Sequence, residues 1–193
     1  MEFTKKQLAV LNRIYKRQIK YYKLTKKSDK TGGIVASAYS NGDTHYVITD
    51  GFMAVSYPTC PAGIPMDQEP HPNLHKMIWD EFIAGDLRMV VQPVDVKAWR
   101  KTLTEWRKAN KGNPDGCIKT FSAHHTAGNF RLDLVCDLME AVGKGALLYI
   151  SQREDSKYPK LVAVPENWMD LNDLGWRTMP IGLCLPNRNE ATV

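Results

Sequence analysis

Basic side chains are concentrated at the start of this chain, where they are suited to binding a polyanion. Residues 1–30 hold ten of the 26 lysines and arginines but only two of the 21 acids, a local charge of +8. The other residues hold 16 basic and 19 acidic groups, a charge of −3. Since all of the excess positive charge lies in this segment, the sequence indicates an anionic partner for it.

On a helix, five of these basic residues form one stripe. Their spacing of 3, 4, 3 and 4 places them opposite an apolar sector, and no acid interrupts them. They are Arg13, Lys16, Lys20, Lys23 and Lys27. We expect this stripe to contact DNA phosphates without reading the bases, with Arg100 and Lys108 of a later helix contributing. The alternative is the solvated face of an ordinary amphipathic helix.

Residue sets that could support catalysis or metal binding are sparse. Asp137 with Asp155 and Lys157 resembles the carboxylate and Asp-x-Lys arrangement of metal-dependent nucleases, but here the Asp-x-Lys precedes Tyr158-Pro159 in an expected turn. The His124-His125 pair and its neighbouring cysteines fit no zinc spacing. Phosphate-binding glycine loops, nucleophile elbows and dinucleotide fingerprints are absent from the sequence. We expect a non-catalytic protein without metal or cofactor, with a small metal-dependent nucleic-acid enzyme as the alternative.

The composition is typical of a globular protein. The chain has 193 residues, 43% of them hydrophobic and 24% charged, enough for one large core or two small ones. Its apolar runs fall short of the ~20 residues that cross a bilayer, and its N-terminus lacks the apolar stretch of a secretory signal. Four cysteines without CxxC spacing predict free thiols and a cytoplasmic location. They are Cys60, Cys117, Cys136 and Cys184. The short apolar runs predict no membrane partner.

Turn signals divide residues 34–57 into a predicted three-stranded meander. Asn41-Gly42 and Asp50-Gly51 lie between apolar or β-branched runs, and Asp-Gly accepts positive φ at both positions of a two-residue hairpin. A second meander is predicted over 146–181, with its last strand at 175–181.

Hydrophobic periodicity predicts four helices. The first covers 5–27 with Thr4 as its cap, and the third covers 95–110 with Asp95 as its cap. The others cover 74–84 and 130–143. Further strands are predicted at 87–91 and 117–123.

Two of these segments resemble the bacterial sliding clamp, the DNA polymerase III beta subunit. One is Thr49-Asp50-Gly51 followed by an apolar strand. The other is the helix, strand, turn, strand, loop, strand order that runs from residue 130 to Met179-Pro180-Ile181 and is similar to the closing unit of that family. The resemblance implies an α+β, DNA-clamp-like domain over 1–186, with antiparallel sheets, packed helices and two similar halves. The expected halves are about 1–86 and 87–186, and 187–193 form a tail.

For function, the resemblance implies a DNA-associated or replication-partner protein. Met179, Pro180 and Ile181 become candidate contacts for partner replication proteins. Clamp rings contain six such domains, so this chain would need a homo-oligomer to close one. Two departures affect the site: Phe52 stands where clamps usually have a basic residue, and Gly182 stands where the family has its terminal arginine. A protein-binding module that keeps the fold without touching DNA is a further alternative.

Overall fold

Helices and antiparallel strands alternate along the chain in the computed structural model. It describes residues 2–25, 32–38, 43–67, 71–84, 86–91, 95–111, 120–122, 129–153, 158–170 and 179–186. The helices are α1 (Lys5–Leu24), α2 (Leu74–Ala84), α3 (Val96–Ala109) and α4 (Leu132–Val142). The strands are β1 (Val35–Ala38), β2 (Thr44–Thr49), β3 (Met53–Tyr57), β4 (Asp86–Val91), β5 (Thr120–Ser122), β6 (Asn129–Arg131), β7 (Leu147–Gln152), β8 (Lys160–Val164) and β9 (Ile181–Cys184). The α+β class is therefore confirmed.

Seven strands form one antiparallel sheet in the order β1-β2-β3-β9-β8-β7-β4, and β5 pairs with β6 separately. Both predicted meanders are present as β1-β2-β3 and β7-β8-β9, and they join where Val55 pairs with Gly182. The last strand begins at Ile181, where the predicted strand was to end. The predicted turn at 41–42 and residues 175–178 lie outside the described part of the chain.

The β2–β3 turn differs from the prediction by one residue. Thr49 pairs with Ala54, and the Asp50 amide donates to the carbonyl of Met53 over 3.2 Å. The two central residues are therefore Gly51 and Phe52, not Asp50 and Gly51. Gly51 has φ +86°, which suits the first central position of a hairpin turn that requires glycine there.

Helices cover both faces of the sheet, because successive strand residues point to opposite sides. Ile48, on one face, shares a core with residues of α1 and α4. Its neighbour Val47, on the other face, packs in a core with Ile78 and Phe82 of α2. Helix α3 lies against α4 through the buried side chain of Leu103.

The core does not divide at the predicted boundary between halves. Side chains from both meanders and from α1 and α4 belong to one cluster, and α2 contacts β1, β2, β3 and β9. In chain order, however, α1 precedes the first meander and α4 precedes the second. None of the helices in the described residues combines the length and apolar character needed to cross a membrane. Cys60, Cys136 and Cys184 are free thiols.

Gly182 allows α4 to pack closely over the middle of the sheet. A Cβ added at this position would lie 2.5 Å from Leu138 Cδ1 and 3.3 Å from Val142 Cγ2, both on α4. The residue that departs from the clamp pattern therefore has a packing role, since a longer side chain would push the helix away from β9.

We expect Gly182→Val to lower the free energy of unfolding by about 1–3 kcal/mol, the usual cost of overpacking a filled core. Chemical denaturation followed by far-UV circular dichroism measures it. Combined with Leu138→Ala, the loss should be smaller than the sum of the two single losses, because the truncation makes room for the added methyl groups. Wild-type stability in Gly182→Val would contradict the close approach.

Candidate nucleic-acid interface

Helix α1 is fixed on the sheet by a buried face that contains polar as well as apolar residues. Leu11 and Ile14 are fully buried, as the periodicity predicts. Gln7 and Gln18 are also buried: Gln7 Nε2 donates to the carbonyl of Ala141 over 3.1 Å, and Gln18 Oε1 accepts from the Gly33 amide over 3.0 Å. These two amides set the rotation of the helix, and hydrophobic periodicity alone does not identify them.

The ends of α1 follow largely from the sequence. The predicted cap forms a capping box, in which Thr4 Oγ1 accepts from the Gln7 amide over 3.2 Å and Gln7 Oε1 accepts from the Thr4 amide over 3.0 Å. The helix ends at Leu24, three residues earlier than predicted. At ~1.5 Å per residue, α1 is about 30 Å long.

Six of the seven basic residues of α1 fall into two rows with different surroundings. Lys6, Arg13 and Arg17 face α4 and pair with its carboxylates. Lys16, Lys20 and Lys23 are exposed, and none of them pairs with an acid in the described part of the chain.

The first row surrounds Asp137, which is 1% exposed. Its Oδ1 accepts from Nη2 of Arg13 over 2.8 Å, and its Oδ2 accepts from Nη1 of Arg17 over 2.5 Å. Nη2 of Arg100, from α3, also donates to Oδ1. Three guanidinium groups from two flanking helices therefore converge on one carboxylate of α4.

Glu140 lies one turn further along α4 and shares the same partners. It accepts from Nη2 of Arg100 over 2.7 Å and from Nη2 of Arg13 over 3.1 Å, and Lys6 Nζ lies 3.4 Å away. Arg17 extends the network to the β2–β3 turn, where its Nε donates to Asp50 Oδ2 over 2.6 Å. We call these seven residues the arginine network: Lys6, Arg13, Arg17, Asp50, Arg100, Asp137 and Glu140.

The network keeps the carboxylates of Asp137 and Glu140 ionised. Burial opposes the charged form of Asp137, but Arg17, Arg100 and Arg13 outweigh it and hold the pKa of this carboxyl below its ordinary value. At Glu140, burial again favours the neutral form, but Arg100 and Lys6 outweigh it and lower the pKa of this carboxyl. For Arg100, hydrogen bonds to Glu140 and Asp137 raise the pKa in spite of burial.

The structure thus separates the predicted DNA contacts into groups. Arg13 and Arg100 lie in the arginine network, where their charges are largely balanced. Lys16, Lys20 and Lys23 are exposed on α1 without an acidic partner among the described residues, and Lys108 is exposed in the last turn of α3. Lys27 lies outside the described residues.

The predicted partner contacts are mostly inaccessible. Met179 and Ile181 are 4% and 1% exposed and belong to the core under α2. Pro180, between them, is half-buried. In the described part of the structure these residues support the sheet, so a partner could reach only Pro180 without rearrangement.

A cleft of about 500 Å³ lies between the start of α1 and the end of α4. Its charged lining residues are Lys6, Glu140, Lys144 and Glu166. Because two cations face two carboxylates, the cleft has no preference for a polyanion.

Two sets of residues bear on the expected absence of a catalytic centre. Both oxygens of Asp137 are engaged by arginines, while Asp155 and Lys157 lie outside the described residues. Among the residues that the structure describes, no group of three or more histidine, cysteine and acidic side chains could hold a metal ion.

A buried histidine pair was not anticipated from the sequence. The rings of His45 and His75 stack 3.7 Å apart at 7°, and His75 Nδ1 lies 2.8 Å from Ser56 Oγ. All three residues are at most 4% exposed, because His75 of α2 packs against His45 of β2 and Ser56 of β3, so they do not form an accessible nucleophile and base. Burial, and for His75 the neighbouring His45, lowers both pKa values, that of His75 to about 4.

This pair should make stability fall in mild acid. The unfolded chain takes up protons near pH 6.5, while folded His75 stays neutral down to about pH 4, so the free energy of unfolding should fall between these values by up to about 3 kcal/mol. Urea denaturation at intervals from pH 7 to pH 5 measures the slope. His75→Asn, which does not titrate, should flatten it. A wild-type protein whose stability is constant across this range would contradict the buried neutral pair.

Removing the shared carboxylate should be far more damaging than removing an exposed one. Asp137→Asn leaves three guanidinium groups short of a counter-charge, so we expect the free energy of unfolding to fall by about 2–4 kcal/mol, discounted for the partial exposure of the arginines. Glu105→Gln, which breaks the exposed pair with Lys101, is the matched control and should cost less than ~0.5 kcal/mol. Equal losses in the two variants would show that the network does not stabilise the helix layer.

The chain matches no protein-family model, and comparisons with curated proteins and with solved structures give no significant match. The likeness to sliding clamps therefore remains a hypothesis drawn from sequence pattern.

Proposed function

We propose that this protein is a non-catalytic nucleic-acid-binding protein that contacts phosphates through the exposed lysine row of α1. The observation that carries the proposal is the contrast between the two basic rows of this helix. Lys6, Arg13 and Arg17 are balanced by α4, whereas Lys16, Lys20 and Lys23 project from the surface unpaired within the described residues. A row of unpaired lysines on a rigid helix is suited to phosphate contacts that ignore base sequence.

The arginine network supports the proposal in a second way. The acids of α4 would repel a phosphate backbone if they were free. Asp137 and Glu140 are instead neutralised by arginines, and Asp133 pairs with Arg131 and Arg107 at 2.9 and 3.6 Å. The helix layer can therefore lie beside nucleic acid without a strong negative patch.

A sliding-clamp relationship is part of the proposal as a structural hypothesis. Helix α1 with β1-β2-β3 and helix α4 with β7-β8-β9 supply two helix-and-meander units joined in one sheet, which is compatible with a clamp-like domain. A ring would need further copies added at a sheet edge. Pairing of Ile34 with residues 65–67 occupies part of the β1 edge, so we favour β4 for this contact. Replication proteins as partners remain a prediction of the same resemblance.

The structure offers different support for the two alternative functions, a metal-dependent enzyme and a protein-binding module. A metal-dependent enzyme would need Asp137, whose oxygens are engaged by arginines. A protein-binding module that keeps the fold without nucleic acid becomes the better interpretation if the lysine row proves inert.

The test is a charge reversal of the lysine row. We expect Lys16→Glu, Lys20→Glu and Lys23→Glu together to abolish binding of duplex or single-stranded DNA at ~50 mM salt while leaving the melting temperature nearly unchanged, because solvated charges contribute little to stability. Fluorescence anisotropy measures it. For wild type, three phosphate contacts predict a log–log salt slope of about −2.7 on duplex DNA.

The control reverses the same number of exposed lysines elsewhere, at Lys76, Lys97 and Lys144. It carries the same net charge as the test variant and should bind nearly as well as wild type. If both triple variants lose binding equally, net charge and not the α1 row is responsible. If wild type binds neither form of DNA, the proposal fails.

A further inference from the structure

We propose that the C-terminal half of α1 and the β2–β3 turn form a site for single-stranded nucleic acid, in which bases stack on Phe52 and Tyr21. The inference rests on the proposed function, because it uses the same lysine row for the phosphates. It adds the class of ligand: a strand whose bases are unpaired.

The first observation is an exposed aromatic pair. Phe52 and Tyr21 are 46% and 41% exposed, and their ring centroids lie 6.4 Å apart at 83°. Because the rings meet edge to face, the contact covers one face of one ring and leaves both faces of the other ring clear, whereas a stacked pair covers a face of each. Tyr22, 6.3 Å from Tyr21, continues the group, and Leu24, three residues after Tyr21 on the helix, is 72% exposed.

The second observation is that Phe52 is held outward by its anchored turn. Asp50 Oδ1 accepts from the amides of Phe52 and Met53, both over 3.0 Å, while its Oδ2 accepts from Arg17. Thr49 Oγ1 also donates to the carbonyl of Met53 over 2.8 Å. With Met53 buried at 2% exposure, the backbone that carries the Phe52 ring is held at the tip of the turn. A rigid aromatic platform loses little conformational freedom when a ligand stacks on it.

The third observation is the charge beside the platform. Residues 17, 21 and 24, which include Tyr21, form a second row on the helix. Each of them directly follows one of the lysines Lys16, Lys20 and Lys23, so the two rows lie about 100° apart around the helix axis. The nearest acid of the turn, Asp50, is 2% exposed and paired with Arg17. The surface therefore combines unpaired positive charge with flat apolar rings.

Only one common polyanion presents both complementary features. Duplex DNA offers phosphates but keeps the faces of its bases stacked inside the helix, whereas a single strand exposes phosphates and base faces together. The exposed side chain at the tip of this turn is an aromatic ring and not a cation, which favours stacking over another phosphate contact. Either DNA or RNA strands satisfy this chemistry.

The experiment compares four probes of about 16 residues by fluorescence anisotropy: oligothymidylate, oligouridylate, a duplex, and an abasic deoxyribose-phosphate strand. Wild type should bind the single strands more tightly than the abasic strand. Phe52→Ala should weaken single-strand binding by about 5- to 150-fold, the loss of one stacked base, and leave duplex and abasic binding unchanged. Tighter binding of oligouridylate or of oligothymidylate would identify RNA or DNA, and either result supports the site.

Matched variants separate stacking from general hydrophobicity. Phe52→Trp should retain single-strand binding, whereas Phe52→Leu, which keeps the apolar surface but not the flat ring, should lose it. Ile83→Ala removes another side chain that is 58% exposed, on α2, and should have no effect. Circular dichroism and the melting temperature verify that each variant is folded.

The failures are distinguishable. If wild type binds none of the four probes, the proposed function fails and this inference fails with it. If wild type binds the duplex and the abasic strand as tightly as the single strands, or if Phe52→Ala changes nothing, the stacking site is overturned while phosphate binding stands. If Phe52→Leu binds as well as Phe52→Trp, stacking is also overturned, and the patch is an apolar contact for a protein or lipid partner.

Discussion

The buried carboxylate of Asp137 is the point on which the helix layer depends. An ionised carboxylate that is 1% exposed is costly unless its charge and its oxygens are satisfied, and here arginines from α1 and α3 do so. Because Arg17 also binds Asp50, the same network fixes the β2–β3 turn against the end of α1. One ionic cluster therefore ties α1, α3, α4 and the first meander together.

This constraint also decides which basic residues are available for a ligand. A helix with basic residues on about a third of its circumference looks, in sequence, like one continuous polyanion-binding surface. Folding places α4 beside one row, and its acids neutralise Lys6, Arg13 and Arg17. The row at Lys16, Lys20 and Lys23 remains exposed, on the same helix as Tyr21, whose ring contacts Phe52 of the turn. The same interactions that stabilise the fold thus define the boundary of the proposed interface.

Local features of the fold could be predicted because they depend on local physics. The capping residues Thr4 and Asp95 bond to the amides of Gln7 and Ala98 within one turn of their helices. The meanders follow from turn signals between apolar runs. Helix α2 and strand β4 agree with their predicted ranges to within one residue. The helix caps and turn residues act within a few residues of each other, although β4 then pairs with the distant strand β7.

The remaining features depend on contacts between distant parts of the chain. Arg13 and Asp137 are 124 residues apart, so no periodicity in α1 reveals that the guanidinium is already paired. Met179 and Ile181 are buried because α2 packs over them. His45 of β2 stacks on His75 only because α2 packs against that strand. The observed β2–β3 turn lies one residue further along the chain than predicted, because Asp50 is anchored by Arg17 and takes the first position of the turn. The sequence therefore predicts the backbone elements better than it predicts the partners of individual side chains.

The most direct test of the central claim is lysine-selective acetylation of the folded protein with and without a saturating single-stranded oligonucleotide, read out by mass spectrometry. Lys16, Lys20 and Lys23 should be protected by the strand, while Lys76 and Lys144, exposed on other parts of the surface, should react equally in both samples. Uniform protection of all five, or no protection on α1, would contradict the assignment of the exposed lysine row as the nucleic-acid interface.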